Sequence, residues 1–84
     1  MALRFGPDVS TAHTDYGTVL LDERSGQYWE LNPTATLIIE TLLAGKDEAA
    51  ATDALVVEFD IDRERAQRDV TELVSELRAS GLAA

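Results

Sequence analysis

The chain has 84 residues, 45% hydrophobic and 27% charged, a composition typical of one small folded domain. A domain of this size buries only about 60 to 65% of the surface of its unfolded chain, so a deep catalytic pocket is not expected. The sequence contains no cysteine. This excludes disulfides, zinc–thiolate sites and cysteine nucleophiles, and it favours a reducing cytoplasm.

The charge balance is acidic, with 16 Asp and Glu against 7 Lys and Arg, a net charge of -9 and a pI near 4.3. Binding to nucleic acid depends on clustered Lys and Arg, so this balance favours a cationic partner or serves solubility alone. Unbroken apolar stretches such as Val19–Leu21 are far too short to span a bilayer, and the N-terminus lacks the apolar core of a signal peptide. We therefore expect a cytoplasmic protein that binds neither membrane nor nucleic acid.

The first third of the chain predicts three strands. A weak alternation over Val9–Thr14, after turn residues Gly6–Asp8, indicates a first strand. Two apolar runs, Thr18–Asp22 and Gln27–Leu31, flank the segment Glu23–Gly26, whose glycine tolerates a positive φ. These two runs are expected to form a β-hairpin.

A first helix is predicted over Pro33–Ala44, because Asn32 suits the N-cap and proline suits the first helical position. Gly45 stands where the chain must leave this helix. Apolar residues at helical spacing mark one buried face: Ala35, Ile38, Ile39, Leu42 and Leu43.

Two further helices are predicted. The second has Asp47 as its N-cap and continues to about Glu58, with Phe59 expected in the core just after it. The third opens at Asp62. Its apolar stripe consists of Ala66, Val70, Leu73, Val74 and Leu77.

The end of the third helix is typical of a Schellman motif, with Gly81 in the left-handed position and Leu82 packed back on Leu77. Three strands followed by three helices, without repeat or linker, indicate an α+β fold. We expect residues 1–84 to form a single domain.

The polar residues do not suggest catalysis. His13 is the only histidine, so a histidine-containing triad or a multi-histidine metal site is not expected. The spacing of Asp60, Asp62 and Glu64 lacks the glycine and the terminal glutamate of a calcium loop. No glycine-rich phosphate loop is present. We therefore expect neither an enzyme nor a cofactor or metal site.

The aromatic pair Tyr28 and Trp29 lies on the last predicted strand, where adjacent side chains point to opposite faces. Trp29 shares a face with Leu31 and is expected in the core, which leaves Tyr28 as an exposed contact or a cross-strand packing partner. If the strands pair in sequence order, Gln27–Leu31 is an edge strand. A bound peptide could add to that edge as another strand, with the third helix as the other wall of its pockets.

Two segments, LLDERSGQYWELNPTA at Leu20–Ala35 and RDVTELVSEL at Arg68–Leu77, resemble the PqqD family, above all its stand-alone members in lasso-peptide biosynthesis. The resemblance extends over Val9–Leu82. It implies a winged helix-turn-helix-like domain, a three-stranded antiparallel sheet followed by three helices, called a RiPP recognition element. Such a domain binds the leader of a ribosomally made precursor peptide.

The resemblance also implies the site: the leader adds beside the third strand, in a groove between that strand and the third helix. Main-chain pairing would come from Gln27, Tyr28, Trp29, Glu30 and Leu31. An apolar pocket would come from Val70, Leu73, Val74 and Leu77, some of which must also serve the core. Basic leader residues would meet Asp69, Glu72 and Glu76.

In lasso pathways the leader characteristically carries a Tyr-x-x-Pro segment, a separate cysteine-protease-type peptidase removes it, and a cyclase closes the ring. The resemblance therefore implies a non-catalytic adaptor with these partners. A winged-helix DNA-binding regulator is one alternative, disfavoured by the acidic third helix. A chaperone for the pyrroloquinoline quinone precursor peptide is another, which the neighbouring precursor sequence would decide.

Overall fold

The computed structural model describes residues 3–83, in which three strands precede three helices. The elements are β1 (Val9–Thr14), β2 (Gly17–Asp22), β3 (Tyr28–Leu31), α1 (Pro33–Leu43), α2 (Glu48–Phe59) and α3 (Arg63–Ala79). The sheet is antiparallel in the order β1-β2-β3. This confirms the predicted α+β architecture, a three-stranded antiparallel sheet followed by three helices.

The strand predictions agree with the structure to within one residue at each end. β1 has the predicted bounds, and the hairpin strands pair with Leu21 opposite Tyr28 and Thr18 opposite Leu31. The hairpin loop closes through a bond from the Gly26 amide to the Asp22 carbonyl, 2.8 Å long, and Gly26 has a φ of 76°. The glycine thus supplies the positive φ expected of it.

Gly17, at the start of β2, has a role that the sequence did not reveal. Its φ is 148°, and a Cβ at this position would overlap the carbonyl oxygen of Leu31. The first residue of β2 must therefore be glycine, because a side chain there would collide with the backbone at the end of β3, just before α1 begins. Local sequence patterns cannot show this, because the two residues are far apart along the chain.

The predicted caps of α1 and α2 are present. Asn32 Oδ1 accepts a hydrogen bond from the Ala35 amide, and Asp47 Oδ1 accepts one from the Ala50 amide, both 2.9 Å long. Gly45 has a φ of 89° and follows the α1 C-cap. The amides of Gly45 and the next residue bond to carbonyls of the last helical turn, which makes this end a complete Schellman motif.

The end of α3 differs in detail from the predicted Schellman motif. Gly81 has a φ of 81°, and its amide donates to the Arg78 carbonyl over 3.2 Å. The second bond, to the Leu77 carbonyl, comes from Ala83 over 3.3 Å instead of from Leu82. Leu82 and Leu77 are both buried in the core, so the hydrophobic part of the prediction is confirmed.

Two predicted core positions are wrong. Phe59 is 39% exposed, because α2 continues through it instead of ending before it, and the chain then turns at Asp60 with a φ of 52°. Leu43 is 45% exposed. The apolar face of α1 is centred on Ile38 and Leu42, and Leu43 lies about 100° around the helix from Leu42, outside that face.

The core lies between the inner face of the sheet and the three helices. Its largest fully buried side chains are Leu20, Ile38, Leu42, Leu55, Val70 and Leu82. α1 packs against β2, β3, α2 and α3, and a 3.0 Å hydrogen bond from Thr36 to the buried Thr18 joins it to the sheet. None of the helices within residues 3–83 is both long and apolar enough to cross a membrane.

Candidate functional site

The free side of β3 offers backbone hydrogen-bonding groups. The Asp22 amide donates to the Gln27 carbonyl over 2.9 Å, which marks this as a hydrogen-bonded pair of the antiparallel ladder. Because such pairs alternate along the strands, the residues of β3 that face β2 are Trp29 and Leu31. The N–H and C=O groups of Tyr28 and Glu30 therefore point away from β2, toward the open edge.

The side chains of β3 divide between the two faces of the sheet as predicted. Leu31 is buried and Trp29 packs against the core, whereas Tyr28 is 63% exposed on the outer face. Tyr28 lies directly opposite Leu21, which is also partly exposed. A strand added beside β3 would place alternate side chains next to this outer aromatic.

A groove of about 350 Å³ begins where β3 ends and runs between α1 and α3. Its lining residues are Asn32, Thr34, Ala35, Ile38, Ile61, Arg65, Asp69, Glu72, Leu73 and Glu76. The sequence predicted a groove between β3 and α3. In the structure, the first half of α1 supplies that wall instead of β3: no residue of β3 lines the groove, and Asn32, the N-cap of α1, is the lining residue that follows the strand.

The predicted residues of α3 fall into two groups. Leu73, Asp69, Glu72 and Glu76 all line the groove. The other three members of the proposed apolar pocket are buried in the core: Val70, Val74 and Leu77. Leu73 is thus the residue of the predicted pocket through which α3 presents apolar surface to the groove.

Sequence reasoning missed several lining residues, among them Ile61, Arg65 and Thr34. A signal for Arg65 was available, because it precedes Asp69 by four residues and so shares its side of the helix. The α1 residues carried no such signal. Ala35 and Ile38 belong to an apolar face that could have been entirely covered by core contacts.

The charges of the groove form one stripe on α3. Arg65, Asp69, Glu72 and Glu76 are spaced i, i+4, i+7 and i+11, which keeps them on one side of the helix. None of the four takes part in the three ion pairs found among residues 3–83. With three carboxylates to one guanidinium, the groove favours a cationic ligand and disfavours a phosphate backbone.

His13, the remaining candidate for chemistry, lies apart from this groove. Its Nδ1 is 3.4 Å from the Thr18 hydroxyl and 3.8 Å from a carboxylate oxygen of Glu40, and its side chain is 67% exposed. Residues 3–83 contain no group of three or more side chains placed to hold a metal ion.

The family is decided by a match to the model of coenzyme PQQ synthesis protein D (PqqD), which extends over residues 17–83. The chain belongs to the PqqD family. The match includes β2, β3 and all three helices, so every element of the β3 edge and the groove lies within it. The PqqD resemblance predicted from the two sequence segments is confirmed.

Two solved structures resemble this PqqD-family chain throughout its length. One, lasso peptide synthetase B1 complexed with the leader peptide, is 45% identical with a TM-score of 0.92, covering 100% of this chain and 99% of that one. Another, TbiB1 in complex with the TbiA(β) leader peptide, is 29% identical with a TM-score of 0.84, covering 95% and 93%. No curated protein matches the sequence significantly.

Proposed function

We propose that this PqqD-family chain binds the leader region of a ribosomally made lasso precursor peptide. The observation that carries this proposal is its likeness to lasso peptide synthetase B1, a structure that contains a leader peptide, at 45% identity over the full chain. Identity at that level over one small domain favours a shared class of ligand. The 29% identical TbiB1 structure also contains a leader peptide.

The leader adds to β3 as a fourth strand of the sheet. The outward N–H and C=O groups of Tyr28 and Glu30 supply the main-chain hydrogen bonds, which give affinity without reading sequence. Leader side chains on the inner face enter the groove between α1 and α3, where Leu73 and Ala35 provide apolar surface above the buried Ile38. Those on the outer face lie beside the exposed Tyr28.

The chain acts as a non-catalytic adaptor in this proposal. It holds the leader while a separate cysteine-protease-type peptidase removes it, and a cyclase then closes the ring of the core peptide. The absence of cysteine and the single, largely exposed histidine support a binding role over a hydrolytic one.

A role as chaperone for the pyrroloquinoline quinone precursor peptide is the second candidate, because the PqqD family is named for coenzyme PQQ synthesis. The full-length likeness to lasso peptide synthetase B1 favours the lasso precursor over it. Regulation by DNA binding receives no such support, since the stripe on α3 that faces the groove is acidic.

A fluorescence-polarisation titration tests the proposal with three labelled synthetic peptides: the leader bound in the lasso peptide synthetase B1 complex, the core of the same precursor, and a pyrroloquinoline quinone precursor peptide. We expect the leader to bind at least about tenfold more tightly than either of the others, a difference of about 1.4 kcal/mol. Equal affinity for leader and core would remove the adaptor role. Tighter binding of the pyrroloquinoline quinone precursor peptide would instead assign the chain to that biosynthetic pathway.

A further inference from the structure

The C-terminal end of α3 lies at the end of the sheet where β3 begins. There Gly81 lines a small depression together with Asp22 and Arg24, at the hairpin from which β3 starts. Arg65 lies about 21 Å along the helix axis from Ala79, the last residue of α3. The C-terminal part of α3 therefore lies toward the point where β3 begins, and Arg65 lies far from that point.

The charges of the groove are separated along α3. Arg65 precedes Glu72 by about 10 Å and Glu76 by about 16 Å along the helix axis. Asp69 lies between them, one turn from Arg65. The groove is thus cationic at one end and anionic at the other.

We propose that these charges set the direction and register of the bound leader, an inference that rests on the proposed function. A strand that continues the antiparallel pattern of the sheet enters beside Leu31 and leaves beside Tyr28. Its upstream side chains then meet Arg65 and its downstream side chains meet Glu72 and Glu76. The preferred ligand carries an acidic residue upstream and a basic residue downstream.

Strand geometry sets the spacing between these two ligand residues. Side chains on the same face of a strand are separated by an even number of residues, at about 3.3 Å per residue. Four residues span about 13 Å, between the two distances that separate Arg65 from Glu72 and from Glu76. A glutamate followed four residues later by a lysine therefore fits the groove, whereas the reversed order places each charge beside its like.

The test uses pairs of fluorescein-labelled peptides built on the leader from the lasso peptide synthetase B1 complex. In each pair one peptide has Glu and then Lys four residues later, and the other has the two exchanged, so composition and net charge are equal. The positions of Glu and Lys are shifted together along the leader sequence in single-residue steps. At the position of tightest binding we expect the Glu-first peptide to bind about fivefold more tightly at low salt, and less so at high salt.

A double variant, Arg65→Glu with Glu76→Arg, keeps the net charge of the protein and should reverse the preference. Its matched control, Glu64→Arg with Arg68→Glu, changes exposed charges of α3 that do not line the groove and should leave the preference unchanged. Equal binding of both peptides, or a preference unaffected by the groove variant, would overturn this inference while leader binding stands. If the unaltered leader fails to bind, both the proposed function and this inference are wrong.

Discussion

At the scale of single residues, Leu73 has a different role from its apolar neighbours on α3. Val70 and Val74, three residues before it and one after it, are buried, whereas Leu73 is only partly buried and lines the groove. Helical spacing placed all three on one stripe. Which of them can contact a ligand depends on how the neighbouring helices cover that stripe. Leu73 lies at the border of the part that α1 covers.

Replacing Leu73 by alanine should weaken leader binding about tenfold, because the truncation removes apolar area that a bound leader would bury in the groove. The free energy of unfolding should change little, since Leu73 is only partly buried. Fluorescence polarisation and urea unfolding measure the two effects. Leu43→Ala, at an exposed leucine outside the groove, is the control. Unchanged leader affinity in the Leu73 variant would mean that this groove is not the binding surface.

At the scale of elements, the sheet has two edges, and only one of them adjoins the groove. β1 and β3 both lie at edges, so each has backbone groups without a strand partner in the described chain. β3 leads directly into Asn32 and the groove, which allows a ligand to use backbone and side-chain contacts together. The sequence predicted β3 as an edge from the order of the strands, and the structure confirms that order. That the leader binds at this edge stays a prediction.

Glu30→Pro should abolish strand addition without unfolding the sheet. The Glu30 amide faces the open edge, so proline removes no bond to β2, but it deletes an edge donor and its ring blocks an incoming strand. We expect at least tenfold weaker leader binding with an unchanged circular dichroism spectrum. Normal binding by this variant would show that the leader does not add to β3.

Thr11→Pro on β1 is the matched control for the edge substitution. The Glu23 amide donates to the Asp8 carbonyl, and the alternation of pairs from that bond turns the Thr11 amide toward the free edge of β1. This variant places the same residue at the opposite edge. It should fold and bind the leader like the unaltered protein.

At the scale of the whole molecule, the two ends of the described chain meet and complete the core. The Gly6 amide donates to the Leu82 carbonyl over 3.0 Å, and Phe5 forms an antiparallel bridge with Ala83. Leu82 is fully buried. Contacts between residues this far apart in sequence hold α3 in position, and α3 supplies one wall of the groove.

Leu82→Ala should lower the free energy of unfolding by about 3 kcal/mol, the cost of emptying a fully buried leucine site. For a domain that buries little surface overall, this is a large part of its stability. Chemical denaturation measures the effect, with exposed Leu43→Ala as the control expected to lose less than about 1 kcal/mol. A loss of similar size in both variants would mean that the closure of the termini does not stabilise the core.

The sequence by itself determined the elements and most of their ends, the C-terminal end of α2 excepted. Asn32, Asp47 and Gly45 mark helix boundaries through bonds to residues within a few positions, and the hairpin loop depends on Gly26 alone for its positive φ. The opposed faces of Tyr28 and Trp29 followed from strand geometry. Such features depend on neighbours along the chain, so a residue pattern is sufficient to predict them.

The tertiary structure alone decided what surrounds each face. It showed that α1 forms a wall of the groove and that Leu73 reaches the groove while Val70 does not. It also showed that position 17 must be glycine, because a Cβ there would overlap the Leu31 carbonyl oxygen. It further placed the C-terminal end of α3 at the end of the sheet where β3 begins. These properties depend on contacts between residues distant in sequence, and periodicity shows which face is apolar without showing what covers it.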